Sequence, residues 1–181
     1  NERNKFFDLA ISRSSNNAQK NKIYYTLLSL AEEESNYNLA VKYINKIEEN
    51  SLNNKLSEEL LSKWIKYNRD EGEFDRILDK IETLINGGTY NKIFSYKVEK
   101  IKTYLIKKEY NESQLLLEEL INDYSENKTY KKQLSEVHLI LGELYLQKQN
   151  NFEYADSNFH ISSDLSPSSE FSKKSKKYID Y

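Results

Sequence analysis

Apolar residues recur at steps of three and four along almost the whole chain, as in IYYTLLSLA (23–31) and LLLEELI (115–121). This spacing places them on one face of an α-helix, and no long alternating pattern of a β-strand competes with it. Turn signals interrupt the pattern at SLNN (51–54), NGG (86–88), SENK (125–128) and SPSS (166–169). The segments between the turns are about 35 to 40 residues long, which fits two helices and a tight turn. The sequence therefore predicts an all-α chain of helix pairs.

Four segments share an aromatic residue three places before a common helical position, which indicates an internal repeat. The aromatic residues are Tyr37, Phe74, Tyr110 and Phe152. The positions that they precede are Ala40, Ile77, Ser113 and Ala155, separated by 37, 36 and 42 residues. Within a single domain, 1–181, we predict a partial helix in 1–20, helix pairs at 22–52, 56–88, 91–126 and 130–167, and a capping helix in 168–181.

The fourth pair has the most specific pattern. Its first helix contains a glycine within an apolar run, at Gly142, and its second helix contains Ala155 and Phe159. We predict that Gly142 packs closely against Ala155, that Tyr145 and Phe159 fill the space around this contact, and that the chain's one proline, Pro167, ends the second helix. Ser162 of the same helix also belongs to this pattern.

On these residues the chain resembles the tetratricopeptide repeat family, whose unit is a helix pair of about 34 residues. The resemblance covers roughly 22–167, and the turn QKQNN of the fourth pair has one residue more than the family pattern. It implies a right-handed superhelix of about four degenerate pairs, with a concave face lined by first helices that binds polypeptide. The tail SPSSEFSKKSKKYI also resembles repeats of bacterial envelope proteins that help assemble outer-membrane machinery, which favours an envelope location over the cytoplasm.

The composition excludes several classes of protein. A formal net charge of -2 and a pI of about 5.9 provide no general attraction to phosphate backbones or anionic lipid. The absence of cysteine removes disulfides, thiol catalysis and Cys-based zinc sites. No apolar run reaches the roughly 18 residues of a membrane span. Because the chain begins at Asn1 and contains no methionine, we expect a further segment upstream.

Residues that could carry chemistry are few. The histidines His138 and His160 belong to different predicted helices, and we expect His138 to pack inside and His160 to be exposed. The glycines form no phosphate-binding pattern, and no nucleophile motif is present. We therefore predict a chain that is not an enzyme and has no metal or cofactor. Trp64 is expected in the core, and the lysines of 173–177 at a solvated helix end.

The candidate binding residues lie on the predicted concave face. They are Tyr25 and Ser29 from the first pair, Lys63, Lys66 and Arg69 from the second, Lys102 and Leu105 from the third, and Leu139 and Glu143 from the fourth, with Val98 and Leu146 beside them. This face is predicted to be basic in its middle and apolar toward its C-terminal end. Such a surface suits a peptide with acidic and hydrophobic residues.

The sequence thus predicts a non-catalytic scaffold or adaptor that binds a partner polypeptide through this face. Two alternatives stay open: an RNA-binding helical-repeat protein, and a docking or regulatory segment of a larger enzyme or of a secretion or envelope assembly. Binding of chaperone tails is not expected. The family's Lys and Asn clamp positions are here Tyr25, Ser29, Lys63, Ser95 and Glu99.

Overall fold

A computed structural model describes residues 2–87 and 90–180 of the chain. Its α-helices are α1 (Glu2–Arg13), α2 (Asn17–Glu33), α3 (Tyr37–Glu49), α4 (Glu58–Asp70), α5 (Phe74–Gly87), α6 (Tyr90–Lys107), α7 (Tyr110–Tyr124), α8 (Lys131–Leu144), α9 (Phe152–Leu165) and α10 (Glu170–Ile179). Two short 3-10 helices, Leu52–Asn54 and Lys128–Tyr130, and a π-helix, Tyr145–Gln149, join some of them. No residue of the described ranges lies in a β-strand, so the all-α prediction is confirmed.

The helices form two compact units, Asn1–Ile77 and Leu78–Tyr181, and the boundary falls within α5. In the first unit, α1 lies against α2, α2 packs against α3, and α3 packs against α4. In the second unit, α6 to α9 pack in chain order, and α10 packs against both α9 and α8. None of the helices in the described part of the chain is long and apolar enough to cross a lipid bilayer.

Similar turns join the two helices of each pair. A residue in the left-handed conformation ends each first helix, and these residues are Ser35, Gly72, Lys108 and Asn150, with φ of 52°, 77°, 63° and 52°. The repeat's aromatic residue follows two places later and begins the second helix. In the first three turns the intervening amide donates a hydrogen bond to the carbonyl five residues earlier: Asn36 to Ala31, Glu73 to Asn68 and Glu109 to Tyr104, at 2.8, 2.8 and 2.9 Å. This is the Schellman arrangement, which satisfies the last carbonyls of a helix.

The common position of the repeat is buried in all four helix pairs. The four residues at this position, one turn into each second helix, are all buried: Ala40, Ile77, Ser113 and Ala155. A buried serine fits because the Ser113 hydroxyl donates a hydrogen bond of 3.0 Å to the Glu109 carbonyl of its own helix. The helical-repeat pattern of the sequence is therefore confirmed at the level of the helix pair.

The fourth turn contains one residue more than the others. Here the Asn151 amide donates to the carbonyl of Tyr145, six residues earlier, at 3.0 Å. The π-helix Tyr145–Gln149 accommodates the additional residue before the chain reverses at Asn150. The side chain of Asn151 then accepts a hydrogen bond from the Tyr154 amide and caps α9. The extra residue in QKQNN thus widens the last turn of the first helix.

Gly142 allows α8 and α9 to approach closely, but its nearest neighbour differs from the prediction. A Cβ atom added to Gly142 would lie 2.6 Å from Cε1 of Phe159, so the glycine makes room for this aromatic ring rather than for Ala155. Ala155 is buried. The second helix ends at Leu165, two residues before Pro167, as predicted.

Serine hydroxyls connect α9 to both α8 and α10. Ser162 of α9 donates to the carbonyl of Ser135 in α8 at 2.6 Å, and Ser135 donates in return to the Ser162 carbonyl at 2.7 Å. From α10, Ser175 donates to the Ser162 hydroxyl at 2.8 Å and Ser172 to the Ser163 carbonyl at 2.9 Å. All five residues are buried. Small side chains let the three helices approach closely, and mutual hydrogen bonds offset the cost of burying their hydroxyls.

Two helix boundaries differ from the predicted ones at the N-terminal side. The partial helix assigned to 1–20 ends at Arg13, and α2 begins at Asn17 rather than at residue 22. The reason is a cap: the side chain of Asn16 accepts a hydrogen bond of 2.9 Å from the Gln19 amide. In the NGG turn, Gly87 is the last residue of α5, and Gly88 lies outside the described residues.

Candidate functional site

A groove in the second unit is the candidate site, because it brings predicted binding residues from several helices together. It has a volume of about 600 Å³ and is lined by α6, α8 and α10, with the first residue of α7 and the π-helix at one end. We call it the α8 groove. Four of the predicted binding residues line it together: Lys102, Leu105, Leu139 and Glu143. Its size is in the range of pockets that hold small ligands or a few side chains.

The floor of the α8 groove is apolar. It is made of Leu105 and Ile106 from α6, Leu139, Ile140 and Leu144 from α8, and Phe171 from α10. Ile106 leaves 47% of its surface exposed, whereas Leu139 and Leu144 are buried and belong to the core of the unit. Apolar surface exposed in an open groove marks a candidate binding surface.

One wall contains an ion pair that joins α6 to α8. The Lys102 amine lies 2.7 Å from Oε1 of Glu136 and 3.5 Å from Oε1 of Glu99. Burial disfavours the charged form of Lys102, but the hydrogen bond and the charge of Glu136 outweigh it, so the pKa of Lys102 is raised. Lys102 is therefore charged, and its charge is balanced within the protein.

A second ion pair joins α8 to α10. Oε1 of Glu143 lies 2.6 Å from the Lys174 amine and accepts a hydrogen bond of 2.8 Å from the Tyr178 hydroxyl. Burial and this hydrogen bond raise the pKa of Tyr178 to about 12. The Tyr178 ring also stacks on Phe159, with centroids 4.4 Å apart. Glu143 thus holds the wall formed by α10 in place.

The turn end of the α8 groove differs from these walls. Lys108, Tyr110 and Lys148 lie there, and the Lys148 amine is 5.0 Å from the centroid of the Tyr110 ring. Neither Lys108 nor Lys148 has a carboxylate within ion-pair distance among the residues that the structure describes. The neighbouring carboxylate, Glu109, pairs with Lys107 at 3.0 Å. Two positive charges therefore remain unbalanced at this end.

The other predicted binding residues belong to the first unit. Lys63 of α4 lies 2.9 Å from Oε1 of Glu32 in α2, and the Tyr67 hydroxyl donates to the same oxygen at 2.6 Å. Burial opposes ionisation of Glu32, but these partners outweigh it and its pKa is lowered. The face is thus not simply basic, since Lys63 is already engaged. Tyr25, Ser29 and Lys66 are exposed and Arg69 is half-buried. In the second unit, Val98 was also predicted on this face, and it is buried instead.

The two histidines lie where they were expected. His138 is buried, and its Nδ1 is 2.8 Å from Oδ1 of Asn158. Because the amide of Asn158 donates to the Tyr154 carbonyl, Oδ1 faces the histidine as an acceptor and Nδ1 carries the proton. His160 is exposed beside Asp156. No group of three His, Cys, Asp or Glu side chains in the described ranges could hold a metal ion.

Sequence reasoning missed the turn end of the α8 groove. Lys108 and Lys148 lie in equivalent turns of the third and fourth pairs, and Tyr110 is the repeat's aromatic residue. The repeat register contained the signal, because residues in equivalent turns of neighbouring pairs come to the same edge. The predicted face instead followed the helix interiors.

No model of a known protein family matches this chain, and comparison with curated proteins found no match.

Proposed function

We propose that the chain is a non-catalytic protein-binding scaffold of the tetratricopeptide-like type, which holds a segment of a partner polypeptide in the α8 groove. The observation that carries the proposal is the apolar floor, with Ile106 exposed in an open groove between first helices. Contact with apolar side chains of a partner would remove this surface from water. The right-handed superhelix implied by the resemblance is part of the proposal, and the repeated turn supports it.

Peptide recognition suits the site because its charged walls are already balanced. Lys102 and Glu143 are held by ion pairs within the walls, so the walls are preorganised and need not rearrange when a ligand enters. An apolar floor between fixed polar walls is the arrangement by which grooves bind amphipathic or extended peptides.

Display of random peptides of about twelve residues against the full chain tests the proposal. Ile106→Asp places a charge on the floor at a half-exposed position, and we expect enriched peptides to lose at least about tenfold in affinity for this variant. Leu115→Asp is the matched control, since Leu115 is 67% exposed on α7 and does not line the groove. Enriched peptides that bind both variants and the unchanged protein equally would overturn the proposal, as would a selection that enriches nothing.

A further inference from the structure

The charges around the α8 groove fall into two classes. Lys102 with Glu136, and Lys174 with Glu143, form pairs of 2.7 and 2.6 Å across the groove walls. Glu170, on the α10 wall, is the first residue of its helix, where the helix dipole favours an acidic side chain. These charges have partners or a favourable position within the protein. A ligand therefore gains little from them.

Lys108 and Lys148 form the second class. Both are exposed, both line the groove, and no carboxylate of the described residues lies within 4.0 Å of either amine. The Lys148 amine lies over the Tyr110 ring, which supports a cation but does not neutralise it. Lys108 is two residues before Tyr110 in the same turn. Both positive charges therefore lie at this end of the groove without a carboxylate partner among the described residues.

The apolar floor leads directly to the two lysines. From Glu136 to Lys148 the wall formed by α8 and the π-helix is about 18 Å long at 1.5 Å per residue. About five residues of extended chain span this length. One end of such a segment meets Leu139 and Ile140, and the other meets Lys148.

We propose that the α8 groove selects a polypeptide segment with apolar residues followed at one end by carboxylates, which contact Lys108 and Lys148. This inference rests on the proposed function and names its partner class. A protein segment fits better than a nucleic acid because the floor between the lysines and the Lys102–Glu136 pair is apolar, and the formal net charge of the chain is -2.

Three labelled peptides test the inference by fluorescence anisotropy with the full chain. Each has two leucines alternating with two serines, followed by three glutamates, three serines or three lysines. We expect the acidic peptide to bind about tenfold more tightly than the neutral one, since two exposed charge contacts contribute modestly. The lysine peptide should bind more weakly than both.

Charge reversal provides the decisive comparison. In the double variant K108E/K148E the acidic peptide should lose its advantage and the lysine peptide should gain it. The double variant K173E/K177E is the matched control, because these lysines are exposed on α10, lie outside the groove and change the net charge equally. Circular dichroism of both variants checks that the helices are retained.

The outcomes separate the two proposals. Equal binding of all three peptides, abolished by Ile106→Asp, would overturn the charge selection and leave the proposed function standing. Failure of the acidic peptide, when displayed peptides without acidic residues bind in the groove, would do the same. Tighter binding of a single-stranded oligonucleotide that competes with the acidic peptide would assign Lys108 and Lys148 to a phosphate backbone instead, and would overturn the inference.

Discussion

Both units contain a lysine–glutamate pair between successive first helices, and what surrounds each pair is different. In the first unit Glu32 accepts from Lys63 and from the Tyr67 hydroxyl, and the Tyr67 ring stacks on Tyr37 at 4.9 Å. In the second unit the Lys102–Glu136 pair borders the open α8 groove. The lysine–glutamate pair thus belongs to a closed contact between helices in the first unit, and it lies beside an open groove in the second. Both lysines are therefore paired within the protein, and the units differ in the apolar groove that borders the second pair.

The largest loss of stability is expected from the substitution of Phe159 in the second unit. Phe159→Ala removes a buried ring that fills the space beside Gly142 and stacks on Tyr178, so we expect a loss of about 3–5 kcal/mol of unfolding free energy. Because Tyr178 holds the α10 wall, peptide binding in the α8 groove should also weaken. Urea denaturation and anisotropy measure the two effects. Unchanged binding in the folded variant would show that the groove does not need this packing.

Removing one tyrosine hydroxyl in each unit should distinguish the roles of Glu32 and Glu143. Tyr67→Phe deletes the bond to Glu32, and Tyr178→Phe deletes the bond to Glu143. Each should cost about 1–2 kcal/mol of unfolding free energy. Tyr178→Phe alone should weaken peptide binding in the α8 groove, since only Glu143 lines it. Equal effects of both variants on binding would remove the distinction between the units.

Acid should destabilise the second unit through His138. Burial lowers the pKa of His138 below its usual 6.5, and the hydrogen bond from Nδ1 to Asn158 only partly opposes this. As the pH falls below about 6.5, the histidine of the unfolded chain binds a proton before that of the folded chain does. The unfolding free energy therefore decreases from about pH 6.5 until the folded-state pKa of His138 is reached.

His138→Gln cannot titrate in this range, and its unfolding free energy should decrease less between about pH 7.5 and about pH 5.5. Carboxylates titrate in both proteins, so the difference between the two curves isolates the histidine. Parallel curves from urea denaturation would contradict the assignment.

The smallest effect is expected from Lys63→Gln in the first unit. The Lys63 side chain is about one-third exposed, and Tyr67 still donates to Glu32 after the change. We expect a loss of about 0.2–1 kcal/mol of unfolding free energy and no change in peptide binding at the α8 groove. A clear loss of peptide affinity would show that the first unit also contributes to recognition.

The local architecture was readable from the sequence, because it depends on residues whose type determines the backbone. The aromatic residues Tyr37, Phe74, Tyr110 and Phe152 each begin a second helix, and the positions three later are buried. Asn36 and Asn151 cap second helices with their side chains, which their residue type favours. Pattern and chemistry agree at these places.

The contacts of α10 were not readable in this way. Serine is polar, so a hydrophobic pattern assigns Ser172 and Ser175 to the surface, whereas both are buried through bonds to residues of another helix. Lys63 illustrates the same limit for the candidate site. Its position on a first helix was predictable, but its pairing with Glu32, 31 residues earlier, depends on tertiary contact. The sequence indicated that another helix packs closely against Gly142, but it did not indicate that the Phe159 ring makes this contact.

The left-handed residue of the turn has a thermodynamic consequence at Lys108. In the second pair this position is Gly72, which adopts a positive φ without steric cost, whereas a residue with a side chain loses about 1 kcal/mol there. The third pair thus carries a steric cost that a glycine would avoid, and gains a cation at the mouth of the α8 groove. Lys108→Gly should therefore stabilise the protein. Under the proposed charge selection, the same substitution should weaken binding of the acidic segment.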